Sequence, residues 1–366
     1  MQALGVGIVG CGDISRVYLE EAPRFSDYFQ VVACTDILEE KARERAQQFG
    51  IPTVCASLSE MLALPEVEIV LNLTIPKAHG EVAMQALEAG KHVYNEKPLA
   101  LTLEDATKML QCAQDKGLSV CCAPDTVLGA GIQTCRKVLD DGWIGRVVSG
   151  TAFMQCPGHE SWHPSPEFYY QQGGGPLFDM GPYYLTGLIT LLGPVSRVTA
   201  CTGKAQSSRR ITSKPKFGQE VKVETPTHVA GILEFESGAI ITMIMSFDVQ
   251  AHTLPCIELY GANGSMQVPD PNTFGGPVKI MTQGNASWSE LPMPFAYAEQ
   301  SRGLGLAEQA WAIQHKHNPR ANAELAYHVL EVMHAIHASS TQGKHIPIES
   351  QVERPAPMVL TKGEFA

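Results

Sequence analysis

Between residues 4 and 123 the chain alternates short, almost continuously apolar runs with longer amphipathic ones, and this alternation constrains the fold more than any other feature. LGVGIVG, FQVVACTD, EIVLNLT, KHVYNEKP and GLSVCCA read as strands, and DISRVYLEEAPRF, EEKARERAQQFG, KAHGEVAMQALEAG and LEDATKMLQCAQDKG as helices. Gly50 and Gly90 supply helix stops, and Thr102 with Asp105 three residues on supplies a start. Strands that are apolar throughout are covered on both faces, as in a parallel sheet wrapped by helices. Residues 1–123 are therefore expected to form a doubly wound α/β domain.

Residues 124–366 follow a different pattern. A helix around GIQTCRKVLDDG precedes longer strands, RVVSGTAFMQ, VSRVTACT, THVAGILEF, AIITMIMSFDV and CIELYG, with ESG and GANG as turns. Such neighbours predict an α+β domain built on a large, mainly antiparallel sheet, followed by late helices at LAEQAWAIQHKH and AELAYHVLEVMHAIHASS. The polar stretch SSRRITSKPKFGQEVKVETP reads as a long loop or arm. A chain of 366 residues is long enough for two such cores.

The formal net charge of −11 gives no electrostatic hold on nucleic acid or an anionic membrane. The apolar strand begins almost at once, without a basic segment before it, and no apolar run reaches the length of a membrane span. The 10 cysteines are scattered from Cys11 to Cys256 with no C-x-x-C pair. That scatter predicts reduced thiols and a cytoplasmic protein, a disulfide framework being the minor alternative.

Ligands of a doubly wound sheet bind beyond the carboxyl ends of its strands. After the first strand stand Gly10, Gly12, Asp13, Ile14 and Ser15, a G-x-G-x-x-S turn opening a helix. Gly10 permits the tight turn, Gly12 lets backbone approach a pyrophosphate, and the small Ser15 allows close helix–strand packing. After the second strand stands Asp36, placed to accept hydrogen bonds from the adenine ribose and to repel a 2′-phosphate, which favours NAD over NADP. Thr74, Pro76 and His79 follow the next main strand, and Glu96-Lys97-Pro98 the one after. The alternative for Asp36, a turn aspartate capping the next helix, is outweighed by its position. The cofactor contacts expected are Gly10, Gly12, Asp13, Ile14, Asp36, Thr74, Pro76, His79, Glu96 and Lys97.

At Glu96-Lys97-Pro98 the chain resembles the Gfo/Idh/MocA oxidoreductases. The resemblance extends through VGIVGCGDISRVY, AGKHVYNEKPLA, DGWIGRV, GGGPLFDMGPYYLTGLITLLG and ASSTQGKHIPI, nearly the whole length. It implies an N-terminal Rossmann domain, then a substrate and oligomerisation domain with a large sheet. It also implies homodimers or homotetramers, and hydride transfer between NAD(P) and a hydroxyl or keto carbon of a sugar, polyol, cyclitol or related molecule. The family's catalytic lysine maps to Lys97. Its D-x-G-x-H motif maps to Asp179-Met-Gly181-Pro-Tyr183, after Gly173–Gly175. Asp179 matches, and Tyr183 stands where histidine is usual. Glucose–fructose oxidoreductase and dihydrodiol dehydrogenases also carry tyrosine there. The catalytic set implied is Lys97, Asp179 and Tyr183.

Oxidising a carbinol requires removal of its hydroxyl proton along with the hydride. A tyrosine of pKa about 10 is a poor base near neutrality unless an ammonium such as that of Lys97 favours its phenolate. Lys97 is equally able to hydrogen-bond the oxygen as charge develops, and Asp179 to orient the sugar or stabilise the lysine. Asp179 and Tyr183 lie one turn apart if that segment is helical, whereas a helix begun at Pro182 leaves Asp179 just ahead of it.

His159-Glu160-x-x-His163 spells a zinc-peptidase site, which needs both imidazoles on one helix face. Pro157, Gly158, Pro164 and Pro166 surround the string and exclude that helix, and no fourth ligand completes a Cys156/His159/His163 site. We read the match as fortuitous, with no metal. The segment is expected instead as a substrate-recognition loop, with Trp162 and Tyr170 as flat faces for a sugar ring and His159, Glu160 and His163 as partners for hydroxyls; a histidine there is a second candidate for the proton transfer. Its alternative is a rigid surface loop held by its own hydrogen bonds. A non-catalytic NAD-binding sensor and an NAD-assisted glycoside-cleaving enzyme are the rival functions.

Overall fold

The computed structural model describes residues 2–360 and 365. They fall into two compact units. The first comprises residues 2–128, 299–330 and 365, and the second residues 129–298 and 331–360. The segment 299–330 thus packs with the first unit, although in sequence it lies inside the expected second domain.

The first unit is built on β1 (Leu4–Val9), α1 (Asp13–Glu21), β2 (Phe29–Thr35), α2 (Glu39–Phe49), β3 (Thr53–Val54), α3 (Leu58–Leu62), β4 (Ile69–Asn72), α4 (His79–Glu88), β5 (His92–Asn95), α5 (Leu103–Lys116) and β6 (Val120–Cys122). The sheet is parallel with strand order β3-β2-β1-β4-β5-β6. Val6, Ile8, Ile69, Val70, Leu71, Val93 and Tyr94 are buried at its centre. Complete burial is what the uninterrupted apolar strands required. The order reverses beside β1, so the carboxyl ends of β1 and β4 flank the switch point where ligands of such sheets bind. Gly50 ends α2 in the left-handed conformation, and the Thr102 hydroxyl accepts the Asp105 amide at the start of α5, both as expected. The short β3 and α3 were not anticipated.

The second unit begins with α6 (Ala130–Asp140), β7 (Val147–Gln155), α7 (Gly175–Leu192) and β8 (Val195–Gly203). A hairpin of β9 (Ser208–Arg210) and β10 (Glu220–Lys222) follows, where a loop or arm was expected. The remaining strands are β11 (His228–Phe235), β12 (Ile240–Ser246), β13 (Ile257–Gly261), β14 (Gly264–Val268), β15 (Val278–Thr282) and β16 (Ser289–Leu291). The chain then supplies α8 (Leu304–His315) to the first unit, continues through α9 (Ala323–Gln342) and ends its last sheet with β17 (Ile346–Pro347). That sheet runs β16-β15-β14-β13-β7-β12-β11-β8-β17 and is antiparallel except where β7 meets β12. The helices α6 and α7 cover one face. Side chains alternate accordingly: Val229, Leu233, Ile241, Met243 and Met245 are buried, whereas Ile232 and Ile240 are exposed on the other face. Among the described residues no helix is long and apolar enough to cross a membrane.

Candidate functional site

The turn after β1 has the geometry that its glycines suggested. Gly10 has φ +96°, and a Cβ there would stand 2.7 Å from the Leu73 carbonyl oxygen, so only glycine fits between the ends of β1 and β4. Gly12, at the N-cap of α1, is different: its φ is −74° and a Cβ would meet nothing within 4 Å. The space above it is open, and the first amides of α1 face it unopposed by a capping side chain. Asp13 is exposed and Ile14 partly so, while Ser15 is buried, its hydroxyl donating to the Gly12 carbonyl over 2.6 Å.

Asp36 closes this site from the end of β2. One carboxylate oxygen accepts the Cys11 amide at 2.7 Å and the other the Leu38 amide at 2.8 Å. Each oxygen keeps a second lone pair for a ribose hydroxyl. Beside it Ile37 is fully exposed, an apolar surface at the edge of the strand ends. Arg45 of α2 reaches the same turn and donates to the Gly12 carbonyl at 3.3 Å. This geometry fits a dinucleotide: open backbone amides for the phosphates, an anchored carboxylate for the ribose.

A frame beneath the next two turns was not read from the sequence. Asn72 and Asn95, at the ends of β4 and β5, are wholly buried and bonded side chain to side chain at 2.9 Å. Asn72 Oδ1 also accepts the Thr74 hydroxyl at 2.6 Å, and Asn95 donates to the Leu99 carbonyl at 3.1 Å. The only sequence signal was an asparagine ending each apolar strand. Pro76 is half-buried, in a short 3₁₀ turn just before α4.

His79 and Glu96, expected among the cofactor contacts, belong to this frame instead. His79 is fully buried, its Nδ1 2.6 Å from the Pro98 oxygen and its Nε2 3.1 Å from the Thr74 oxygen. Burial outweighs those two carbonyls and lowers its pKa below the ordinary value. Glu96 accepts the Tyr18 hydroxyl at 2.9 Å and the Lys97 amide at 2.9 Å, with the Arg302 guanidinium 3.8 Å away. Both residues are engaged by protein groups and so support the turns from below. Lys97, on the Glu-Lys-Pro turn itself, is half-buried.

In the second unit, α7 starts at Gly175 and runs through Pro182, so Asp179 does not precede the helix as a start at Pro182 required. Asp179 and Tyr183 are therefore one turn apart on one face. Asp179 is 15% exposed and Tyr183 is buried.

The loop after β7 comes to the same place. His159 Nε2 lies 3.2 Å from Asp179 Oδ2. The imidazole is walled by aromatic rings, with Tyr169 at 4.2 Å, Phe247 at 4.5 Å and Trp162 at 5.3 Å between centroids. The string His159–His163 forms a turn, with the Trp162 and His163 amides directed at the His159 carbonyl, and not a helix. No cluster of three or more metal-ligating side chains occurs among the described residues.

Arg209, from the unanticipated β9–β10 hairpin, holds this loop. It is 7% exposed and donates to Glu160 Oε1 at 2.6 Å, to the Pro157 carbonyl at 2.8 Å, to the Phe247 carbonyl at 2.7 Å and to Asp248. Glu160 also accepts the Tyr170 hydroxyl, and Arg209 lies over the Tyr170 ring. Tyr170 is completely buried, so the expectation that it offers a face to a sugar is corrected: its ring and hydroxyl are consumed in fixing the loop. Burial, followed by the bond to Glu160, pushes its phenol well above the ordinary value. Trp162, 60% exposed, does present an open face, and His163 is partly exposed with Nδ1 accepting the Ser165 amide.

Two family descriptions match the sequence: "Oxidoreductase family, NAD-binding Rossmann fold" over residues 4–123 and "GFO/IDH/MocA C-terminal domain" over residues 132–267. Among curated relatives, a 1,5-anhydro-D-fructose reductase of Ensifer adhaerens is 28% identical over 94% of this chain and 98% of its own. A D-glucoside 3-dehydrogenase of Escherichia coli is 25% identical over 94% of this chain and 97% of its own. Among solved structures, a levoglucosan dehydrogenase in complex with NADH superposes with a TM-score of 0.83 at 20% identity, covering 96% of this chain and all of the other. The last likeness concerns the fold alone.

Proposed function

The chain belongs to the Gfo/Idh/MocA family of oxidoreductases, and from that premise we propose that it is an NAD-dependent dehydrogenase acting on a hydroxyl or keto carbon of a sugar, polyol, cyclitol or glycoside. The observation that carries the proposal is the set of strand ends in the first unit: open backbone above Gly12, an anchored Asp36 carboxylate, and Lys97 on its turn. The names of the relatives, reductases and dehydrogenases of carbohydrates, support the substrate class.

When bound, NAD supplies the hydride acceptor. The residues proposed to hold it are Gly10, Gly12, Asp13, Ile14, Asp36, Thr74, Pro76 and Lys97. Asp36 favours NAD over NADP by opposing a 2′-phosphate. Lys97 would stabilise the substrate oxygen as it gains negative charge, and Asp179 with Tyr183 would complete the catalytic set. Trp162 and His163 are the proposed sugar contacts. Exposed Ile232 and Ile240 on the free sheet face support assembly into a homodimer or homotetramer, and the absence of disulfides among the described cysteines supports a cytoplasmic location.

NADH formation across a panel of aldoses, inositols and glycosides tests the proposal. Activity on at least one member is expected, with Lys97→Ala lowering kcat by about 10²-fold or more while NAD still binds. Tight NAD binding with no turnover on the whole panel would instead identify a sensor.

A further inference from the structure

We propose that His159 is the proton carrier of this site, with Asp179 as the group that orients it. The inference rests on the dehydrogenase reading above and deepens it, because that reading leaves unfilled the place of the histidine usual at position 183.

Three observations lead to it. First, Asp179 Oδ2 lies 3.2 Å from His159 Nε2. A carboxylate there accepts a hydrogen bond from Nε2–H and so selects the tautomer in which Nδ1 carries the lone pair. Secondly, all the contacts of His159 among the described residues are accounted for, and none is a hydrogen bond to Nδ1. That atom is left as the acceptor. Thirdly, the ring is held and not swinging. Three aromatic rings wall it, its amide donates to the Tyr170 hydroxyl at 3.2 Å, and the buried Arg209 fixes the adjoining Glu160 and Pro157. A base that is oriented by a carboxylate and packed against apolar rings is the arrangement that nucleophile-activating and carbinol-oxidising sites share.

Tyr183 is itself buried within α7. The sequence gap explains how the substitution is tolerated: the imidazole missing four residues after Asp179 is returned by a loop residue twenty positions before it.

With NAD bound to accept the hydride, the substrate C–H and O–H bonds would break together, the O–H proton would pass to His159 Nδ1 and the carbonyl bond would form. The imidazolium then releases that proton to solvent, restoring the neutral ring. The titratable and charged groups around the ring are Asp179 on α7, Tyr169 and His163 in the loop, and Glu160 with Arg209 behind it; Cys156 lies at the loop's start.

The test has two parts on the full chain. In histidine-labelled protein, ¹⁵N NMR should find His159, assigned with His159→Asn, as the Nε2–H tautomer, with that preference weakened in Asp179→Asn. An Nδ1–H tautomer in the wild type would overturn the proposal without any reference to activity. In kinetics with D-glucose, D-xylose, methyl β-D-glucoside and myo-inositol, His159→Ala should lower kcat about 10²–10⁴-fold on whichever member the wild type oxidises, with NAD affinity kept and added imidazole restoring part of the rate. His159→Gln, which keeps a donor toward Asp179, guards against misfolding and should be equally slow. Near-wild-type kcat in either variant sinks the proton-carrier role but leaves the dehydrogenase reading standing. A wild type inert on every sugar sinks that reading, and this inference with it.

Discussion

His159 and Asp179, twenty residues apart on a loop and a helix, meet through Nε2 and Oδ2 at 3.2 Å. This contact sets a string that looked like a metal site against a carboxylate of α7. It also ties the shape of the loop to α7, which bears Asp179. The loop is therefore a rigid part of the site, held on its far side by Arg209.

Replacing Arg209 should be costly. Arg209→Met leaves Glu160 and Asp248 without their buried partner, a change worth about 3–5 kcal/mol when one member of such a set is lost. Urea denaturation should register that loss. Loss of substrate KM control should accompany it if the protein still folds, because Trp162 and His159 ride on the same loop.

Gly10 and Gly12 should separate folding from binding. Gly10→Ala places a Cβ against the Leu73 carbonyl in a left-handed conformation and should destabilise by about 1–3 kcal/mol. Gly12→Ala meets no protein atom, so its melting temperature should stay close to wild type. Its added methyl fills the open space, and its affinity for NAD, measured by fluorescence titration, should fall about tenfold or more.

Asp36→Ser should redirect cofactor choice. It removes the carboxylate that would receive two ribose hydroxyls, worth about 1.5–3 kcal/mol for bonds to a charged group. NAD binding should weaken about 10–100-fold. NADP, relieved of the opposing charge and with Arg45 close by, should become the better ligand. Unchanged preference would remove Asp36 from the ribose site.

Acid should destabilise the first unit through the buried His79 and the half-buried His92. Burial lowers the pKa of His79 and of His92 below the ordinary 6.5. The unfolded chain then binds a proton, below about pH 6.5, that the folded chain refuses. Stability is thus full above that pH and falls as pH drops through it, by at most about 1.4 kcal/mol per pH unit for each group. His92 gives the cleaner test, because its Nδ1 accepts the Ser119 amide and cannot do so once protonated. Thermal melts from pH 7.5 to 5 should flatten in His92→Gln.

The first unit was legible because its information is local. Apolar runs such as EIVLNLT and caps such as Thr102 declare themselves within a few residues, and the strand ends then fall in place by topology. The second unit was legible as strands, with Asp179, Tyr183 and the 159–163 loop singled out, but not in what holds that loop. Arg209 meets Glu160 across 49 positions from within a polar stretch that carries no periodicity, and nothing local marks it as buried. Tyr170 misled for the same reason: an aromatic next to prolines looks like an exposed ring until the cation that covers it is known. Asn72 and Asn95 were passed over because a single polar residue ending a strand does not reveal that its partner ends the neighbouring one.

The first unit closes only with residues that come late in the chain. Asp125 is fully buried, and the amides of Gly303 and Gly305 satisfy one of its oxygens at 2.8 and 3.2 Å. The amide of Cys122 at the last strand likewise waits for the Ala321 carbonyl. A ribosome that has finished residue 128 has joined every strand of this sheet but has made none of those partners, so the cofactor half of the protein matures after most of the other half has been made.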